Sequence, residues 1–144
     1  MNVFAEAIQR ETGVPPAVEP SQDLIELDGQ TYRHHAWGGG LVAMTAYAAH
    51  EAFISQHAIV SDYAVVVGSA RLFDEARVDD HAVVSDMCTI RGNATVTGHA
   101  ILRGNVLMTD QAYVGGNARI DGPVKLQHFA RVLDGDLRGQ QTIW

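Results

Sequence analysis

The sequence contains a single cysteine, Cys88, so no internal disulfide can be formed. Its 10 Lys and Arg residues are outnumbered by 17 Asp and Glu, leaving a net charge of −7, and the cations do not cluster. Nucleic acid is therefore not an expected partner, because phosphate binding needs grouped cations that displace counterions. An acidic body is suited instead to a protein partner with a basic surface. No apolar run approaches a membrane span, and no N-terminal stretch joins a basic start to an apolar core of signal-peptide length. A cytoplasmic address without membrane contact is the expectation. No glycine run precedes a helical pattern as a phosphate-binding loop would.

What remains is 144 residues, 47% apolar and 19% charged, which is the composition and length of one globular domain. A period of six runs through it. Counting in sixes from Ala52 gives Ala58, Ala64, Ala70, Ala76, Ala82, Cys88, Ala94, Ala100, Val106, Ala112, Ala118, Val124 and Ala130, all small or medium apolar residues. Two residues after each stands an aliphatic residue or Met, from Ile54, Val60 and Val66 through to Leu126 and Val132. Side chains at i and i+2 share one face of a strand, so each unit of six holds one short strand. An α-helix is excluded, since a step of six rotates roughly 240° and would scatter the apolar positions around the cylinder.

Two residues beyond each aliphatic position the chain places Asp or Gly, as at Asp62, Gly68, Asp74, Asp80, Asp86, Gly92 and Gly98, often followed by Asn or His. These types favour corners and left-handed backbone angles. Turn chemistry therefore accounts for Asp62, Asp80, Asp86 and Asp110, which form no acid and base pair. Cys88 falls on an inward position and reads as a buried structural thiol.

The repeats are flanked by segments of different composition, which suits caps on the open ends of a solenoid. Residues 1–45 form the expected N-terminal cap. It comprises a short helix over residues 2–12 closed by Gly13, a linker opened by Pro15 and Pro16, and a hairpin over residues 24–37 turning at Asp28-Gly29. Residues 46–135 are the repeat region. Residues 136–144 are the C-terminal cap, with Trp144 placed to fold back over the last coil.

The pattern A-x-[VIL]-x-[DG]-[NH] resembles the hexapeptide repeat of the left-handed parallel β-helix superfamily, whose members include trimeric acyltransferases. In style it is closest to bacterial and phage-encoded hexapeptide-repeat proteins of undemonstrated activity. The resemblance implies an all-β, left-handed triangular solenoid with three units of six per coil, hence four to five coils. Residues 18 apart then stack at about one strand spacing, roughly 4.8 Å. One outward column so defined, Val65, Val83, Ile101, with Val67 beside it, is apolar until Arg119. The other two columns, Phe53, Arg71, Thr89, Leu107, Lys125 and Ile59, Arg77, Thr95, Tyr113, Arg131, are mixed. An exposed apolar stripe marks a contact surface, so Val65, Val67, Val83 and Ile101 are the expected oligomer interface, and the resemblance implies a homotrimer.

The corner leading into that stripe runs Tyr63, His81, His99, Asn117. In a trimer these residues and Asp80 would line an inter-subunit cleft, where the acyltransferases of the superfamily hold a catalytic His as general base. Thr97-Gly98-His99-Ala100 resembles their catalytic segment, which makes His99, with His81, the candidate catalytic pair. The carbonic anhydrase branch uses three interfacial His. A third is missing here, because His57 belongs to another corner, so no metal is expected. His34, His35, His50 and His128 are expected at the surface.

Two functions follow. The favoured one is a non-catalytic binding or inhibitory module, an acidic homotrimer that engages a protein partner or sequesters a small ligand in its clefts without a cofactor. A compact acidic chain of this kind suits a phage-encoded inhibitor of a host factor. The alternative is an acyl-CoA-dependent acyltransferase using His99. Against it stands the absence of the long loop and C-terminal helical segment that such transferases usually carry.

Overall fold

A computed structural model describes residues 24–144, so the expected helix over residues 2–12 and the linker at Pro15 and Pro16 lie outside the described residues. The described chain is all-β. It holds 20 short strands, and among the described residues no helix is long and apolar enough to cross a membrane. The expected hairpin is formed by β1 (Leu24–Leu27) and β2 (Gln30–His34), paired antiparallel from Leu24 opposite Arg33 to Leu27 opposite Gln30. Its two turn residues, Asp28 and Gly29, both have positive φ, at 52° and 79°. That is the backbone a tight two-residue hairpin demands.

From β3 (Leu41–Ala43) onward every strand pairs in parallel with the strand three places ahead, which makes three sheets wound into a β-solenoid. The first sheet continues through β6 (Ile59–Val60), β9 (Arg77–Val78), β12 (Thr95–Val96), β15 (Tyr113–Val114) and β18 (Arg131–Val132). The second holds β4 (Tyr47–Ala48), β7 (Val65–Val66), β10 (Val83–Val84), β13 (Ile101–Arg103), β16 (Arg119–Asp121) and β19 (Asp136–Arg138). The third holds β5 (Phe53–Ile54), β8 (Arg71–Leu72), β11 (Thr89–Ile90), β14 (Val106–Met108), β17 (Val124–Leu126) and β20 (Gln141–Ile143). Neighbouring coils exchange backbone hydrogen bonds, as where the Val65 N–H donates to the Ala82 carbonyl at 2.9 Å and the Val83 N–H to that of Ala100 at 2.9 Å.

The solenoid makes about six turns, more than the four to five expected from the repeats. An additional coil begins at Leu41, with Val42 registered against Val60 and Ala48 against Val66. At the other end the periodicity does not stop. It loses one residue, so that Arg119 pairs with Asp136 and Ile120 with Leu137, 17 apart instead of 18. Leu137 and Ile143 then extend the inward columns and pack on the core.

The interior is a stack of the small and aliphatic positions. Val60, Val78, Val96 and Val114 line the first sheet, Val66, Val84, Leu102 and Ile120 the second, and Ile54, Leu72, Ile90, Met108 and Leu126 the third, all essentially inaccessible to water. Each such side chain contributes about 1.5–3 kcal/mol by leaving water, and β-branched residues dominate because the branched Cβ suits a pleated surface.

The hairpin and the segment that follows it are tied to this body at several points. The Gln30 amide donates to Asp62 Oδ1 at 2.8 Å and accepts from the Asp62 N–H at 3.0 Å. Trp37 meets Phe53 edge-on at 5.4 Å between centroids and lies beneath the Arg71 guanidinium at 5.2 Å. Gly38 passes so close to the third sheet that an added Cβ would lie 2.1 Å from the Ile54 carbonyl oxygen. His35, expected at the surface, is instead buried, because its Nε2 is drawn inward to the Ala52 carbonyl at 2.7 Å. Trp144 does not cover the last coil either. It remains 69% exposed and stacks flat on His128, at 4.9 Å and 11° between the rings, because β20 runs along the third sheet to the corner.

Candidate functional site

The outward residues of the second sheet form a continuous stripe. Alternation sends Val66, Val84 and Leu102 inward, so their neighbours Val65, Val83 and Ile101 face out and remain partly exposed. Val83 is registered directly between Val65 and Ile101, and Arg119 follows Ile101. The stripe begins earlier than the sequence suggested. Tyr47, 54% exposed, pairs with Val65, and the exposed Tyr63 stands at the corner just before Val65. Counting one coil back from Val65 reaches Tyr47, a signal available in the sequence once the extra first coil is recognised. Val67 lies just past β7, on the corner leading to the third sheet.

The corner from first to second sheet gathers the ring-bearing side chains. Tyr63 and His81 lie 5.2 Å apart between ring centroids, and His81 and His99 lie 4.9 Å apart, tilted by 31°. The stacking follows from the coil rise: identical corner positions sit one strand spacing apart, so planar side chains lie over one another. Asp80 Oδ1 stands 3.2 Å from His81 Nδ1. Beside this column is an open depression of ≈ 470 Å³ lined by His81, Val83, His99, Ile101, Asn117 and Arg119. Tyr63, Asp80 and Val65 are its neighbours on the N-terminal side and do not line it.

Among the described residues no carboxylate contacts either ring nitrogen of His99. A general base of the triad type relies on such a partner to fix its tautomer and orientation. His81 has one, but the Asp80 carboxylate is itself a corner group with 54% of its side chain exposed. No group of three or more His, Cys, Asp or Glu able to hold a metal exists among the described residues. Cys88 is fully buried, and burial pushes its thiol up to about 11, so it is held as the unreactive protonated form.

A second depression, ≈ 410 Å³, lies at the corner from third to first sheet and is lined by Gly92, Asn93, Asp110, Gln111, His128 and Phe129. Its polar groups serve the turn itself, since Asp110 Oδ2 accepts from the His128 N–H at 2.9 Å. No protein-family model, curated protein or solved structure matches the chain.

Proposed function

We propose that the second-sheet face is the working surface of a non-catalytic binding module. In this reading the chain is a left-handed solenoid of the hexapeptide-repeat type that assembles as a parallel homotrimer through this face. The clefts beside the interface then engage a protein partner with a basic surface or hold a small ligand. The observation that carries the proposal is the unbroken outward column Tyr47, Val65, Val83, Ile101, with the exposed Tyr63 at the adjoining corner. Soluble chains seldom leave a contiguous apolar strip of this kind uncovered. A parallel three-fold arrangement keeps each layer against its own equivalent, so Val65, Val83 and Ile101 each meet an identical apolar side chain.

The test is the mass in solution. Light scattering is expected to give three times the chain mass for the parent and the mass of one chain for Val83→Glu. A monomeric parent, or a trimer indifferent to Val83→Glu, would remove the interface.

A second reading, the acyl-CoA-dependent transferase with His99 as base, is favoured by one observation: the His99 ring borders an open depression beside Asn117. Protection against heating by acetyl-CoA, with turnover abolished in His99→Ala, would establish it over the pure binder.

A further inference from the structure

We infer that the depression at His81, His99, Asn117 and Arg119 takes a small organic anion with an apolar body, such as a short-chain carboxylate. The inference deepens the proposal that clefts beside the interface hold a small ligand, and it rests on that reading: the hollow is the cleft edge of the stripe, with Val83 and Ile101 shared between the subunit contact and the cleft floor.

The chain carries −7 overall, yet this one hollow is walled by two imidazoles, a guanidinium and a carboxamide. Arg77, Arg103 and Arg138 are paired with Asp79, Asp121 and Asp136, and Arg71 and Arg131 lie over the rings of Trp37 and Tyr113. Arg119, like Arg33 and Arg91, contacts no carboxylate and no ring among the described residues, although Asp136 neighbours it in register, and it alone of the three borders this hollow. Asp136 is engaged by Arg138 at 3.7 Å instead. Its fork of N–H donors is thus available to a planar bidentate acceptor.

The nearest acidic group on the other side, Asp80, is turned to His81 Nδ1, and its own N–H is occupied by Asp62 Oδ2 at 3.0 Å. Asn117 adds an amide at the corner between His99 and Arg119. The floor is different in kind. Val83 and Ile101 offer two aliphatic side chains one strand spacing apart, a surface that recovers hydrophobic contact from an alkyl or aryl group but cannot satisfy a polar one. Donors around an apolar floor select for charge at one end and carbon at the other. A metal cation or a sugar would leave either the guanidinium or the valine and isoleucine without a match.

The probe is hexanoate, with hexanol as the uncharged control, followed through the ring signals of the seven histidines by NMR. Saturable shifts confined to His81 and His99 are expected with hexanoate and not with hexanol. Arg119→Ala is expected to weaken hexanoate about tenfold, the loss appropriate to a charge-assisted hydrogen-bond pair. Arg91→Ala, an exposed arginine on a different corner, should leave it unchanged. Equal response to hexanol, shifts spread over all histidines, or indifference to Arg119→Ala would overturn the site. Since light scattering reads the trimer separately, loss of one conclusion is distinguishable from loss of the other.

Discussion

The side chain of Asp62 accepts a hydrogen bond at 3.0 Å from the backbone N–H of Asp80, the residue at the same corner one coil further along. Asp74 does the same for Gly92, Asp86 for Gly104 and Asp110 for His128, at 3.0, 2.9 and 2.9 Å. All four aspartates have φ between 56° and 60°. The left-handed backbone aims the carboxylate along the solenoid axis, where it satisfies the corner N–H of the next coil. Four of the 17 acidic residues are thereby explained as turn chemistry.

Replacement of Asp86 tests this combined role. Asp86→Asn retains an acceptor and a residue tolerant of positive φ, and is expected to change stability by less than about 0.5 kcal/mol. Asp86→Ala loses the acceptor and adds the left-handed penalty of about 1–2 kcal/mol, for a total of about 2 kcal/mol by urea denaturation. Equal effects of the two substitutions would show that neither the side-chain acceptor nor the tolerance of positive φ contributes at this corner.

Where the last coil is one residue short, Gly116 is under the tightest constraint. Its φ is +60°, and an added Cβ would sit 2.0 Å from the carbonyl oxygen of Leu133, a backbone atom that cannot swing aside. Gly116→Ala is expected to cost about 3 kcal/mol. Gly135→Ala, at φ +86° with open space around it, should cost only about 1 kcal/mol. Thermal denaturation of the pair measures the difference.

His35, just after the hairpin, gives the fold a pH dependence. Burial holds its imidazole below the ordinary value of 6.5, with the hydrogen bond to Ala52 opposing the shift. The unfolded chain therefore takes up the proton more readily, so the contribution of neutral His35 is fully present above about pH 6.5 and is lost as pH falls below it toward the folded value. Melting temperature should decline over that window. His35→Gln, which keeps a donor for the Ala52 carbonyl, should flatten the decline relative to the parent, and an identical slope in both would assign the effect elsewhere.

Cys88 should resist alkylation. A thiol pushed from 9.0 up to about 11 by burial has ~100-fold less thiolate at pH 8, before access is considered. Reaction with a disulfide reagent is expected to be slow in the native protein and rapid in urea. Fast native labelling would mean that the interior opens at that coil.

The six-residue rhythm made the solenoid legible because its signal is local and repeated: every inward position from Ala52 to Val132 declares itself within a few residues of its neighbours. The stacked column of Tyr63, His81 and His99 was legible as well, once 18 residues were allotted to a coil. The first and last coils were not. Leu41 to Ala48 lies before the first regular six-residue unit at Ala52, and the loss of one residue in the corner after Val132 shifts every later position out of phase while leaving the fold intact. His35 escaped because nothing in its neighbours along the chain announces the Ala52 carbonyl that binds it.

By itself the sequence determined that this protein is a stack of short parallel strands with an aliphatic interior, since period, side-chain branching and corner residues all act over distances of six residues or fewer. Only the tertiary structure decided that about six coils stack, that among the described residues Arg119 stands without a carboxylate while Asp136 turns to Arg138, and that two imidazoles share one hollow with Val83 and Ile101. Those relationships depend on which coil meets which, and a shift of one residue anywhere between them would have brought different side chains together.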